Sequence, residues 1–182
     1  LKATVGAHEV IVTIMLNYIA YRLVDYFLKT TLFQREGRND PISKTVEESA
    51  QLPALLAWLD PAMKVHLGLF LALGAAGVIW WLLFRTNTGF EFRAVGANPS
   101  AARYAGMSVT KVYILVMTIS GALAGLAGTS QVLGLLDRAS PGFSAGLGFD
   151  GIAVALLGRS NPFGVVAAAL LFGGLNAGGQ YM

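Results

Sequence analysis

The run Val65-His66-Leu67-Gly68-Leu69-Phe70-Leu71-Ala72-Leu73-Gly74-Ala75-Ala76-Gly77-Val78-Ile79-Trp80-Trp81-Leu82-Leu83-Phe84 carries no formal charge over its 20 residues, with His66 neutral. Lys64 precedes it and Arg85 follows it. A helix rising about 1.5 Å per residue crosses a hydrocarbon core of about 30 Å with such a length. It is apolar all round, so no face of it is built for water. The Trp80-Trp81 pair near one end suits the bilayer interface. This stretch reads as a membrane-spanning helix.

Composition agrees with it. Hydrophobic residues are 55% of the 182-residue chain and charged residues 13%, against about 25% charged in an ordinary soluble domain. So few charges cannot cover a soluble surface. The formal net charge is +3, and the basic residues lie mainly between apolar runs, where membrane-flanking charge belongs. No recognition motif accompanies them, so nucleic acid is not an expected partner. The absence of cysteine excludes disulfides and thiolate metal sites. No metal-ligand spacing, phosphate loop or nucleophile–base pair is present. The sequence therefore predicts neither an enzyme nor a cofactor. His8 and His66 flank apolar runs and are expected in satisfied interfacial roles.

Three further spans are expected, at 10–28, 112–136 and 163–181, beside 65–84. In the first, Arg22 and Asp25 stand three apart, a spacing that lets them pair on a helix. In the third, Gly121, Gly125 and Gly128 make a small-residue face of the kind that lets helices approach closely in lipid. Gly174 and Gly178 repeat that spacing in the last. Residues 149–158 are predicted as a helix too short to span. Such a helix is tolerated at membrane depth only when buried in protein or lining an aqueous cavity, and broken helices are frequent in transporters. The chain opens on Leu1 and closes in the uncharged stretch Ser160 to Met182, which reads as a domain truncated at both ends. The fold class is all-α, a polytopic integral membrane helical bundle.

Two polar intervals separate the spans. Residues 29–64 are punctuated by Pro41, Pro53 and Pro61. Within them Leu52 to Leu59 is too short to cross, and Trp58 suits the interface. Residues 86–111 contain Gly96-Ala97-Asn98-Pro99-Ser100-Ala101-Ala102-Arg103-Tyr104-Ala105-Gly106. Asn98 or Ser100 can cap a helix, Pro99 suits its first turn and Gly106 its stop. A helix of about two turns outside the hydrocarbon is predicted.

Polar side chains inside spans are costly there and are candidates for function. Thr13, Asn17 and Tyr18 stand in the first span. Thr118, Ser120, Thr129, Ser130 and Gln131 stand in the third, and Asn176 and Gln180 in the last. Amides such as Asn17 both donate and accept, as a polar solute requires. The plainer role is an interhelical hydrogen bond worth about 0.6 kcal/mol, or, for Ser and Thr, a bond to the helix's own backbone. Asp150 either favours the N-terminal dipole of a short helix or serves as a gate on a half-helix.

The segment Phe92-Arg93-Ala94-Val95-Gly96-Ala97-Asn98-Pro99-Ser100-Ala101-Ala102-Arg103-Tyr104-Ala105-Gly106-Met107 resembles the cytoplasmic loop of ABC-type permeases of the branched-chain amino acid and simple-sugar group. It looks closest to the nucleoside and simple-sugar branch. Glu9 to Ala20, Ser120 to Gly128 and Gly148 to Gly158 agree, in the same order. The resemblance implies a fragment of a type II ABC importer permease of about ten helices. It implies ATP-binding cassette subunits, a second permease subunit (identical or homologous) and an extracytoplasmic substrate-binding protein as partners, in a plasma membrane. By the same resemblance Gly96, Asn98, Ala101, Ala102 and Gly106 belong to a coupling helix that meets the ATPase. It also sets orientation, which charge does not: residues 29–64 hold five Lys/Arg and Arg85 to Lys111 hold four, so the positive-inside rule is silent. Residues 86–111 are then cytoplasmic, and 29–64 face outward as a docking loop or a tether. No Walker-type loop is present, so ATP hydrolysis falls to a separate subunit. An ion-gradient transporter would want an intramembrane charge, and a non-transporting scaffold would not need the polar residues within spans.

Overall fold

In a computed structural model, residues 9–30, 32–35, 37, 40–53, 66–144 and 146–179 are described. The expectations for His8, for Trp58 with most of Leu52 to Leu59, for Pro61 and for Gln180 lie outside them. The helices are α1 (Glu9–Leu28), α2 (Gly68–Arg85), α3 (Asn87–Ala97), α4 (Pro99–Tyr104), α5 (Val109–Gln131), α6 (Leu147–Leu157) and α7 (Pro162–Gly179). A π-helical turn, Val132–Leu136, continues α5. Among the described residues, four helical segments are long and apolar enough to cross a membrane: Ile11–Leu28, Gly68–Arg85, Val109–Leu136 and Pro162–Gly179. Their large side chains face outward: Met117 is 70% exposed and Phe149, on the short α6, 82%. Water would penalise so much apolar surface, whereas lipid and further helices would not.

The chain divides into two compact units, residues 1–68 with 109–143 and residues 69–108 with 144–182. In the first, α1 carries two charged contacts. Lys29 donates to Asp25 at 2.8 Å and Arg22 to the Tyr18 hydroxyl at 2.7 Å. Helical side chains lean toward the N-terminus, so each base reaches one turn back. Arg22 therefore meets Tyr18 rather than the expected Asp25.

After α1 the described residues make backbone contacts of their own. Gln34 and Ser43 form an isolated antiparallel bridge. The chain then runs antiparallel to the end of α5: Ser43 N–H donates to the Ala139 carbonyl (2.9 Å), Val46 N–H to Asp137 (2.9 Å) and Leu52 N–H to Leu133 (3.0 Å). The Ser43 hydroxyl accepts from Ala139 N–H at 2.8 Å. The π turn coincides with this docking, and Asp137, with φ +55°, ends it. Asp tolerates that left-handed geometry better than most residues.

In the second unit only Thr86 separates α2 from α3, and α6 packs on α7. Two close backbone approaches set these corners. A Cβ on Gly89 would fall on the Leu82 carbonyl oxygen and lie 2.6 Å from Leu83 Cα. A Cβ on Gly158 would lie 2.5 Å from Val165 N, and one on Gly164 would fall on the Gly158 carbonyl oxygen. Trp80 and Phe163 add a ring contact at 5.8 Å. By contrast Gly121, Gly125, Gly128, Gly174 and Gly178 face open space. The small-residue faces that the sequence singles out are not closed by the described residues.

Candidate functional site

Residues 86–107 build the most fully specified part of the second unit. Thr86 joins two helices: its hydroxyl donates to the Leu82 carbonyl of α2 at 2.6 Å and accepts from Gly89 N–H of α3 at 3.0 Å. It is the N-cap of α3. Arg93 places its guanidinium 5.2 Å above the Phe84 ring, and Arg85 sits 5.7 Å from the Trp80 ring. Such stacking contributes about 0.5–1 kcal/mol at an exposed site.

Asn98 serves both neighbouring helices. Its N–H donates to the Ala94 carbonyl, closing α3. Its backbone is extended, and its side-chain oxygen accepts from Ser100 N–H and Ala101 N–H, each at 3.1 Å. The sequence leaves Asn98 and Ser100 as alternative caps; the extended backbone at Asn98 selects it. Pro99 follows as the first helical residue, where a missing N–H costs nothing. At the other end Met107 N–H donates to the Ala102 carbonyl and Gly106 N–H to the Arg103 carbonyl, each at 3.0 Å, with Gly106 at φ +84°. These are the paired bonds of a Schellman stop. A six-residue helix is too short to persist on propensity alone, so its ends fix it.

The interval thus holds two helices where the sequence predicts one of about two turns. Gly96 lies in α3, not in α4, because the extended Asn98 interrupts the helix after Ala97. Ala102 is 4% exposed and packs inward with Val95, 2% exposed. Ala101 faces outward, and Tyr104, at 95% exposure, is a residue the sequence reading gives no role. An aromatic at the end of a capped amphipathic turn was the available signal.

The pathway candidates are spread along three helices. Thr13 and Asn17 stand one turn apart on α1, and Asn17 is exposed with no side-chain hydrogen bond among the described residues. Ser120 is exposed on α5 and Gln131 half-buried at its end. Thr118 and Thr129 donate to carbonyls one turn back, Ile114 and Gly125, each at 2.8 Å, the plainer role open to them. Asn176 is exposed on α7, and Asp150 stands in the first turn of α6.

His66 has a local role beyond flanking a span. Its Nδ1 accepts from Gly68 N–H at 3.1 Å, where α2 begins. Its ring fills the dent at Gly134 on the π turn, where a Cβ would lie 2.6 Å from the imidazole. Among the described residues no cluster of His, Cys, Asp or Glu could hold a metal ion.

Four helices long and apolar enough to cross a membrane, and a short helix capped at both ends, are the make-up of a polytopic membrane protein. The chain belongs to the family of the branched-chain amino acid transport system permease component, whose family model matches residues 1–182. It is 46% identical to the guanosine ABC transporter permease of Bacillus subtilis over 184 residues, covering 100% of this chain and 52% of that protein. It is 38% identical to the nucleoside ABC transporter permease of Lactococcus lactis, over 100% of this chain and 51% of the relative. It is 36% identical to the glucose ABC transporter permease of Haloferax volcanii, over 99% and 49%. The chain thus spans about half the length of the curated relatives it matches. No solved structure matches it.

Proposed function

We propose that this chain forms part of the permease subunit of an ATP-binding cassette importer that carries a small polar solute, a nucleoside first and a simple sugar or branched-chain amino acid next. The observation that carries this reading is the 46% identity, over the whole chain, to a permease named for guanosine. Residues 86–111 face the cytoplasm and meet the ATPase; residues 29–64 face outward toward a binding protein. A second permease subunit, identical or homologous, completes the pathway in the plasma membrane.

In this reading α4 is the coupling helix. Asn98 and Gly106 hold its ends, Ala102 seats it against its own subunit, and Ala101 faces the partner. Gly96 acts from the end of α3, where a larger side chain would crowd the same contact. The caps matter mechanically: a helix whose ends are satisfied moves as one body when the ATPase closes. Thr13, Asn17, Ser120, Gln131 and Asn176 line the solute's route.

Capture of the full-length permease by its ATPase tests the reading. Ala101→Glu places a charge on the exposed side of α4, and capture falls at least tenfold while membrane insertion persists. Unchanged capture by this variant, or no capture of the unaltered protein, overturns the coupling role and favours an ion-gradient transporter.

A further inference from the structure

We infer that residues 43–52 are a releasable strap: docked, it holds the end of α5 as a π-helical turn, and its release during transport lets that turn become α-helix. The step during transport rests on the proposed importer reading; the docking does not.

The strap attaches at the π turn itself, Val132–Leu136. In an α-helix the Leu133 carbonyl accepts from the N–H four residues on, that of Asp137. Here the Leu133 carbonyl accepts from Leu52 N–H at 3.0 Å, and the Asp137 carbonyl from Val46 N–H at 2.9 Å. Asp137 has left the helical region, at φ +55°. Strap and α-helix thus compete for the Leu133 carbonyl. π turns are rare and gather at functional places in helices, and the docked segment gives this one a cause.

The residues after the strap meet the same turn. The Pro53 carbonyl accepts from Leu67 N–H at 3.3 Å. The His66 imidazole occupies the space beside Gly134, where a Cβ would lie 2.6 Å from its ring. A Cβ on Gly68 would fall on the Ser130 hydroxyl. Strap, Gly68 and the end of α5 form one junction within the first unit.

This hold is easily undone. None of the described side chains from Ser43 to Pro53 is buried, so no apolar anchor within this chain resists lifting. The bonds to α5 use N–H groups and the Ser43 hydroxyl, and water can replace each of them. Segments with few buried apolar contacts open first. The Gln51 amide donates to the Val46 carbonyl at 3.2 Å, so the strap keeps its own bend as it lifts. Once it is released, Asp137 N–H can return to the Leu133 carbonyl, and the chain beyond swings by about 100°, the angle of one helical residue. The turn begins directly after Gln131, a proposed pathway residue, so the strap sets the course of the chain beside the solute's route.

Ser43 and Ala139, joined by two hydrogen bonds, are within reach of a disulfide. Ser43→Cys with Ala139→Cys is built in the full-length permease, with any other cysteine replaced, and placed in proteoliposomes with its ATPase and binding protein. Oxidation is expected to join the pair in the resting protein and to cut guanosine uptake about tenfold or more, with ATPase capture unchanged; reduction restores uptake. Normal uptake by the joined protein overturns release, and a pair that does not join overturns the docking. A loss that reduction does not restore makes the segment a fixed structural part and also overturns release. Leu52→Pro removes the N–H that meets Leu133, and with Ser43→Cys alone it is expected to speed maleimide labelling of position 43 several-fold. Equal labelling overturns the strap. Labelling needs neither solute nor ATPase. A permease that moves no guanosine when unaltered therefore refutes the solute reading and release in transport with it, while labelling still decides the docking.

Discussion

Two helix ends in the second unit close with the same pair of bonds but spend their glycine differently. At the end of α4, Met107 N–H meets the Ala102 carbonyl and Gly106 N–H the Arg103 carbonyl, each at 3.0 Å. At the end of α6, Ser160 N–H meets Ala155 and Arg159 N–H meets Leu156, again at 3.0 Å. The left-handed residue is Gly106 at φ +84° in the first and Arg159 at φ +52° in the second, followed by Ser160 at φ +55°. Nothing lies within 4 Å of a Cβ on Gly106, whereas Gly158 meets the backbone of α7. The first corner needs glycine for its dihedral angle. The second needs it for space, one residue earlier, and leaves the left-handed position to side chains that tolerate it poorly.

The comparison breaks most visibly at Gly158. Gly158→Val drives a branched side chain into the Val165 backbone and is expected to abolish folding of the α6–α7 hairpin. Size-exclusion chromatography in detergent would show loss of the monodisperse species; a normal profile would mean the two helices do not approach so closely. A smaller effect is expected at Gly106→Ala, about 1 kcal/mol against α4, read as several-fold weaker ATPase capture with an unaltered chromatographic profile. Asn98→Ala removes the oxygen that serves Ser100 and Ala101 and costs about 1 kcal/mol, with the same readout. The smallest effect sharpens the contrast: Arg159→Gly relieves a left-handed side chain and should raise thermal stability by up to about 1 kcal/mol. If it instead lowers stability or uptake, the Arg159 side chain is kept for a contact of its own.

Much of this was legible in the sequence. Long uncharged runs are unambiguous because a bilayer admits few other readings. The Asn98-Pro99 start and Gly106 stop of α4 follow from local rules that the structure obeys. What the sequence missed was the glycines at which backbones come together among the described residues. It favoured the periodic Gly121, Gly125 and Gly128, because a repeat is visible in one dimension. Gly89, Gly158 and Gly164 work at corners, where the partner backbone lies across a turn, and no period reveals that. The docking of residues 43–52 along the end of α5 was hidden for a similar reason: its hydrogen bonds are between backbone groups, which every sequence possesses. Arg22 went to Tyr18 because side-chain lean, not spacing alone, selects the partner.

The central claim is that the outward side of α4 meets the ATPase. Position 104, 95% exposed, and position 102, 4% exposed, provide a paired test on one short helix. A photo-crosslinking amino acid is placed at each in the full-length permease, in membranes holding the ATPase and the binding protein. The account predicts a crosslink to the ATPase from position 104 and none from position 102. A crosslink from position 104 to the external binding protein would reverse the orientation, and no crosslink to the ATPase from either position would contradict the coupling role.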